Sequence, residues 1–242
     1  MEIMKNIYQI SGGSYANIAN IYVIKGTDSL IMVDTAETAS DYQMLEDNLR
    51  YWGLDRFPVS CVLLSHKHLN HIGNAWRYRE RGARIVAGDK DAEAIEKGIT
   101  EQICDYDPFP KKEPYVPCKV DLRVRDGDEF EAAGLRFKVY EVPGHTMGSV
   151  FYELKMDGRI ILFTGDVLNV KKDCSGAYLG WEGGIDFDRG AFFESIKKFS
   201  LLDCDVILPG HFQTCMQGGG RILRDAYKVA LEEWRQPSVS IE

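Results

Sequence analysis

Val59-Ser60-Cys61-Val62-Leu63-Leu64-Ser65-His66-Lys67-His68-Leu69-Asn70-His71 is the stretch on which the reading of this chain turns. It opens as an apolar run of strand length. It then packs three of the chain's five histidines into residues 66–71. His66 and His68, two apart, point the same way in extended chain. His71 swings to a neighbouring position as the chain turns into a helix. Imidazole is the commonest metal-binding side chain, so the cluster predicts a metal site just past a strand end.

The other histidines repeat that placement. His145 lies in Pro143-Gly144-His145-Thr146, after a strand predicted to end at Val142, and His211 in Pro209-Gly210-His211, after one ending at Leu208. Asp34 follows the apolar run 30–33, and Asp166 follows 160–163 with Gly165 before it. Loops at strand ends converge on a crevice fixed by a rigid sheet, where α/β proteins place ligands. A carboxylate can bridge two cations. Five histidines and an aspartate supply ligands for one or two transition metals.

Strands are predicted at 6–10, 18–24, 29–33, 59–64, 84–86, 120–124, 135–142, 150–154, 159–163 and 205–208. Asp157-Gly158 between two of these runs is a tight hairpin signal, and Asp126-Gly127 marks another turn. Helices are predicted around Tyr42, Leu45, Leu49 and Trp52, over 72–81, 90–98 and 189–199, and around Ile222, Ala226, Tyr227, Ala230 and Trp234. Two sheets with helices outside them is one economical packing of this order, and a doubly wound sheet is another. Residues 98–118 and 170–187 fit neither period. Long segments of that kind often serve as lids or binding loops. Tyr106, Phe109, Tyr178, Trp181 and Phe212 are candidates to line the mouth of a site. Lys171 and Lys172 read as a solvated pair, and Cys215 as an ordinary buried thiol.

The 242 residues are 45% hydrophobic and 27% charged, which fits a folded globular chain read as one domain over 1–242. Lys plus Arg is 29 against 37 Asp plus Glu, a net charge of −8 that argues against nucleic acid or an anionic membrane as partner. The first residues lack the apolar core of a secretory signal, and no run approaches the roughly 20 residues needed to cross a bilayer. The six cysteines form no CxxC pair. Free thiols in a reducing cytoplasm are the expectation, with a Cys104–Cys118 bridge left open. A small-molecule substrate is the expected partner. The oligomeric state is left open, a homo-oligomer included.

Taken in order, these motifs resemble the metallo-β-lactamase superfamily, and within it the glyoxalase II-like hydrolases. The set comprises Asp34, HKHLNH at 66–71, PGHT at 143–146, TGD at 164–166 and PGH at 209–211. The resemblance spans nearly the whole chain. It implies an α/β fold, a four-layer αββα sandwich, with the site at one edge between the two sheets. It also implies that His66, His68 and His145 hold a first metal and His71 and His211 a second, with Asp166 bridging. Asp34 would orient the ligand loop. Zinc is the expected ion, one or two per chain, with iron or manganese as alternatives.

One position departs from the pattern. The usual motif is HxHxDH, and Asn70 stands where the family has the aspartate that ligates the second metal and handles a proton. An amide keeps the shape and a carbonyl oxygen but has neither the charge nor a titrating proton. A mononuclear enzyme, a dinuclear enzyme in which Asn70 orients water or substrate, and a degenerate protein all follow. Retention of all five histidines argues against the last. The expected activity is metal-assisted hydrolysis of a small ester, thioester or lactone by metal-bound hydroxide, with Asp166 and Asn70 at the reacting centre. Thioesters, lactones and activated esters need leaving-group protonation least. An iron-dependent oxidoreductase of the persulfide dioxygenase type and a non-catalytic, metal-stapled binding protein are the alternatives. A β-lactam substrate is disfavoured by the lack of an export signal.

Overall fold

The computed structural model describes residues 1–12, 19–99 and 114–234. Strands β1 (Glu2–Met4), β2 (Ile7–Gln9), β3 (Tyr22–Lys25) and β4 (Leu30–Val33) form an antiparallel run. Helix α1 (Ala39–Tyr51) leads to β5 (Val59–Leu63). Helices α2 (Leu69–Ile72) and α3 (Ala75–Glu80) lead to β6 (Arg84–Gly88), and α4 (Asp89–Lys97) precedes β7 (Leu122–Val124). These later strands add parallel to β4, completing a seven-stranded sheet in sequence order.

Strands β8 (Glu129–Ala132), β9 (Leu135–Glu141), β10 (Val150–Met156) and β11 (Arg159–Gly165) follow, and β14 (Val206–Pro209) closes a second, five-stranded sheet parallel to β11. Between them lie a small hairpin, β12 (Leu168–Val170) with β13 (Ala177–Leu179), and helix α5 (Arg189–Phe199). Helix α6 (Gly219–Trp234) comes last. Asp157 and Gly158 both have positive φ, 51° and 74°, as the hairpin between β10 and β11 requires.

Strand alternation sorts the side chains into layers. On β5, Cys61 and Leu63 enter the core between the sheets with Tyr22, Phe137, Tyr152 and Phe163. Val62 and Leu64 face the other way, onto a core with Leu45, Leu49, Tyr78 and Ile95 of the first helices. On the second sheet Phe151, Leu162 and Ile207 pack outward on Phe192, Ile196, Ile222 and Leu223. Three apolar interfaces separate four layers, giving the αββα sandwich.

Several expectations need correction. The helix expected over 72–81 is two pieces. Gly73 is pressed so close to Glu37 that a Cβ would stand 2.3 Å from its carbonyl oxygen, and Asn74 turns its amide to the carbonyls of Thr35 and Thr38. Tertiary contact overrides helical periodicity there. Part of the segment 170–187 is the β12–β13 hairpin, and β1 and β8 are edge strands too short to carry a clear alternation. Tyr106, Phe109 and Cys104 lie outside the described residues, so the Cys104–Cys118 question does too. Among the described residues no helix is long and apolar enough to cross a membrane.

Candidate metal centre

Asp34, the histidines of 66–71, His145, Asp166 and His211 follow β4, β5, β9, β11 and β14, whose C-terminal ends share one edge of the sandwich. Hydrogen bonds then fix which nitrogen each ring presents. Asp34 Oδ1 accepts from Ser65 N–H, and Oδ2 accepts from Ser65 Oγ, each at 2.8 Å. With its proton committed to Asp34, Ser65 Oγ accepts from His66 Nδ1–H at 2.9 Å. His71 Nδ1–H donates directly to Asp34 Oδ2 at 2.8 Å. One carboxylate thus sets two tautomers, and both Nε2 atoms turn inward. Asp34 holds this place with φ of 60°, a left-handed backbone that aspartate tolerates. His145 Nδ1–H donates to the Trp181 carbonyl at 3.0 Å, so its Nε2 turns inward as well.

The inward atoms converge. His66 Nε2 lies 3.1 Å from His68 Nδ1 and 3.3 Å from His145 Nε2. Asp166 Oδ2 lies 3.2 Å from both His71 Nε2 and His211 Nε2, 3.9 Å from His145 Nε2 and 4.0 Å from His66 Nε2. Gly210 makes room for this carboxylate, because a Cβ there would stand 2.1 Å from Asp166 Oδ1. The Asn70 amide Nδ2 stands 3.1 Å from His211 Nε2. In that orientation the amide presents donor hydrogens to the cluster, and a half-turn would present its carbonyl.

The donor set fits a cation. The tautomers leave His66 Nε2 and His145 Nε2 as acceptors facing each other with no proton between them. Nitrogens sharing a tetrahedral ion at about 2.0–2.1 Å stand ~3.3–3.4 Å apart, close to the spacings seen. Asp166 Oδ1 is buried with no hydrogen-bond partner among the described residues, which otherwise leaves a buried acceptor unsatisfied. His66, His68 and His145 form one group of mutually close donors, and His66, His71 and Asp166 form another.

Residues 15–211 match the family model of the metallo-beta-lactamase superfamily. The chain belongs to that superfamily. Among its relatives is hydroxyacylglutathione hydrolase GloC of Haemophilus influenzae, 27% identical over 160 residues, covering 63% of this chain and 68% of the relative. Human acyl-coenzyme A thioesterase MBLAC2 is 24% identical over 232 residues, covering 86% of this chain and 77% of the relative. A metallo-beta-lactamase family protein of Thermus thermophilus has the same fold, with a TM-score of 0.72 at 23% identity over 96% of this chain and 80% of that one.

Electrostatics in this metallo-beta-lactamase-type site divide the histidines. Burial pushes His66 well below its usual value, and burial with the neighbouring His68 lowers His145 to about 3. Burial also opposes charge on His71, but the carboxylates of Asp166 and Asp34 outweigh it and raise the ring to about 10. Burial would raise Asp166, yet His211 and His71 hold it well below the usual carboxylate range.

The structure adds residues that sequence reading missed. Lys67, between two histidines, is only 3% exposed. Its ammonium pairs with Asp186 and stands 3.8 Å from fully buried Asp91. Asp91 also accepts from Lys67 N–H at 2.9 Å, Gly148 N–H at 2.9 Å and Thr146 Oγ1 at 2.6 Å. This network ties the first motif to the loop after Gly144 and to the segment carrying Trp181. Asn20 and Tyr22 donate to the Pro209 carbonyl and so seat the His211 turn from the opposite sheet.

Of the substrate-contact candidates, Trp181 and Phe212 adjoin the histidines, with ring centroids 6.2 Å from His68 and 6.4 Å from His211. Tyr178 does not join them. It lies under the Lys171 ammonium at 5.4 Å, in an open recess with Lys172, Asp173 and Ser175 whose lining holds none of the histidines. The alternation of β13 turns it to that side. Cys215 is buried and donates to the Gln217 carbonyl.

Proposed function

We propose that this protein is a metal-dependent hydrolase of small acyl substrates, and that thioesters are the class it serves best. The observation that carries the reading is the convergence of four histidines, His66, His71, His145 and His211, within 4.0 Å of Asp166 Oδ2, with His68 against His66 and the tautomers of His66, His71 and His145 set from outside the cluster. His66, His68 and His145 would hold one ion and His71 and His211 a second, with Asp166 shared; zinc suits this nitrogen and oxygen set. When bound, the metal supplies a water activated near neutral pH and polarises the scissile carbonyl.

The chain's own residues do the rest. Asp34, directly and through Ser65, holds His71 and His66 in the ligating tautomer, and the Trp181 carbonyl does so for His145. Asn70 can donate a hydrogen bond to a substrate or product oxygen, but it has no proton to exchange. A leaving alkoxide needs protonation, whereas a thiol, with pKa about 8.5, departs as thiolate near neutrality. In the balanced step, the oxygen of water bonds to the acyl carbon and the carbon–sulfur bond breaks. A carboxylate and a thiolate form as both protons of the water pass to solvent, and the thiolate takes one of them back, leaving one proton released per turnover. The likeness to GloC, a hydroxyacylglutathione hydrolase, and MBLAC2, an acyl-coenzyme A thioesterase, supports the same class. The free thiols of Cys61, Cys118, Cys174, Cys204 and Cys215 support a reducing compartment such as the cytoplasm.

The test is release of free thiol from acyl thioesters by chelator-stripped protein reloaded with zinc, manganese or iron. Turnover restored by metal, and far weaker on the matching oxygen esters, is expected. Oxygen consumption with a persulfide and no thioester turnover would sink the reading.

A further inference from the structure

The two aromatic rings that adjoin the histidines stand at opposite ends of the cluster and remain open to solvent. Trp181 is 39% exposed beside His68, and Phe212 is 53% exposed beside His211. Ile185, on the segment held by the Lys67–Asp186 pair, is 70% exposed. None of these apolar groups is accounted for by the core.

The backbone behind each ring is held in place. The Trp181 carbonyl is tied to His145, and its indole lies on the backbone of Gly183, where a Cβ would come within 2.2 Å of the ring. Any side chain at 183 would push the indole off its seat. Phe212 has φ of 59°, in the left-handed region that costs every residue with a Cβ relative to glycine. Its carbonyl accepts from the Asn20 amide at 3.1 Å, which anchors that backbone. A half-exposed phenyl recovers little by burial, so folding alone favours glycine here. Beyond its edge contact with the His211 ring, what the phenyl meets outside the protein gives it a reason to be kept.

We propose that Trp181 and Phe212 are the walls of an acyl subsite, and that the preferred substrates are thioesters with an apolar acyl group. This rests on the hydrolase reading above and adds the substrate's character to it. Asp166 Oδ2 lies 3.2 Å from His211, the histidine beside Phe212, so an acyl chain held by Asp166 runs along the Phe212 ring, with Trp181 as the far wall. A small, hydroxylated acyl group would gain nothing from either.

The experiment uses the full-length, metal-loaded protein and N-acetylcysteamine thioesters from acetyl to octanoyl. Full burial of a methylene is worth about fourfold in binding, and half-burial about twofold. The hexanoyl thioester is therefore expected to exceed the acetyl one more than tenfold in kcat/KM. Phe212→Gly is expected to flatten that dependence to under threefold while its thermal midpoint holds or rises, because glycine relieves the backbone; loss of a merely structural ring would lower it. Calorimetric binding of non-hydrolysable thioether analogues of the same lengths is run on both proteins. Equal rates for acetyl and hexanoyl, or an unchanged slope in Phe212→Gly, would overturn the acyl subsite and leave the hydrolase standing. No thioester turnover, with length-dependent analogue binding that Phe212→Gly abolishes, would instead sink the hydrolase and keep the apolar subsite.

Discussion

Asn70 is the residue on which a second ion would depend most. It stands 3.1 Å from His211 Nε2, where a carboxylate would add a charge. Asn70→Asp is expected to tighten the weaker of two metal sites by about ten- to a hundredfold, the range that changes around a metal commonly carry. Competition with a chromophoric chelator measures it, and two equally tight ions in both proteins would count against it. The histidines also set the pH response of the metal-free protein. His145, lowered from 6.5 to about 3, stays neutral when folded but takes a proton when unfolded, so stability falls as pH drops below 6.5. His66, lowered in the same direction, adds to this. His71, raised from 6.5 to about 10, contributes stability that is complete below 6.5 and is lost as pH rises toward 10. Metal-free protein is therefore expected to be most stable near pH 6.5, falling on both sides in urea titrations across pH. The histidines themselves are legible in the sequence because each follows an apolar strand run. Their tautomers are not, since those depend on Ser65, Asp34 and a carbonyl 36 residues away.

Among the elements, the segment from Gly180 to Asp188 does most to complete the site. It offers the Trp181 carbonyl to His145 and the Asp186 carboxylate to Lys67, and Asp188 N–H donates to the Gly144 carbonyl. Lys67→Met would leave Asp91 facing Asp186 with no cation between them. A cost of about 3–5 kcal/mol in urea unfolding is expected, as for other broken buried pairs. Combining it with Asp91→Asn and Asp186→Asn should recover part of that loss, and simple additivity would show that the three residues do not act together. The sequence could not reveal this latch. Lys67 reads as a spacer between histidines, and its partners lie 24 and 119 residues along the chain. Asp188, by contrast, shows its role in local sequence: it caps α5 by accepting from Ala191 N–H at 2.9 Å.

The whole molecule is two sheets closed on one core, with the ligand loops along a shared edge. Phe163 is buried in that core, 5.7 Å from the Tyr22 ring. Phe163→Ala is expected to cost about 3–5 kcal/mol by urea titration without moving any ligand residue. Ions held by these residues would join loops from both sheets and so bind the folded state alone. At a thousandfold excess over its dissociation constant, one ion contributes about 4 kcal/mol. At about 2–4 °C per kcal/mol for a chain of this size, chelation should lower the thermal midpoint by roughly 8–16 °C. An unchanged midpoint would mean the ion contributes nothing to holding the sheets together.

The sequence by itself determined the alternation of strands and helices, the edge at which the histidines gather and the departure at Asn70. Each of these is written in residues close together along the chain. Only the tertiary structure decided which ring nitrogens face inward, that Lys67 is buried between Asp91 and Asp186, that 69–80 breaks into two helices, and that Trp181 and Phe212 rather than Tyr178 flank the cluster. Those outcomes rest on contacts between the two sheets and their loops, where burial and hydrogen bonding to distant groups outweigh local preference.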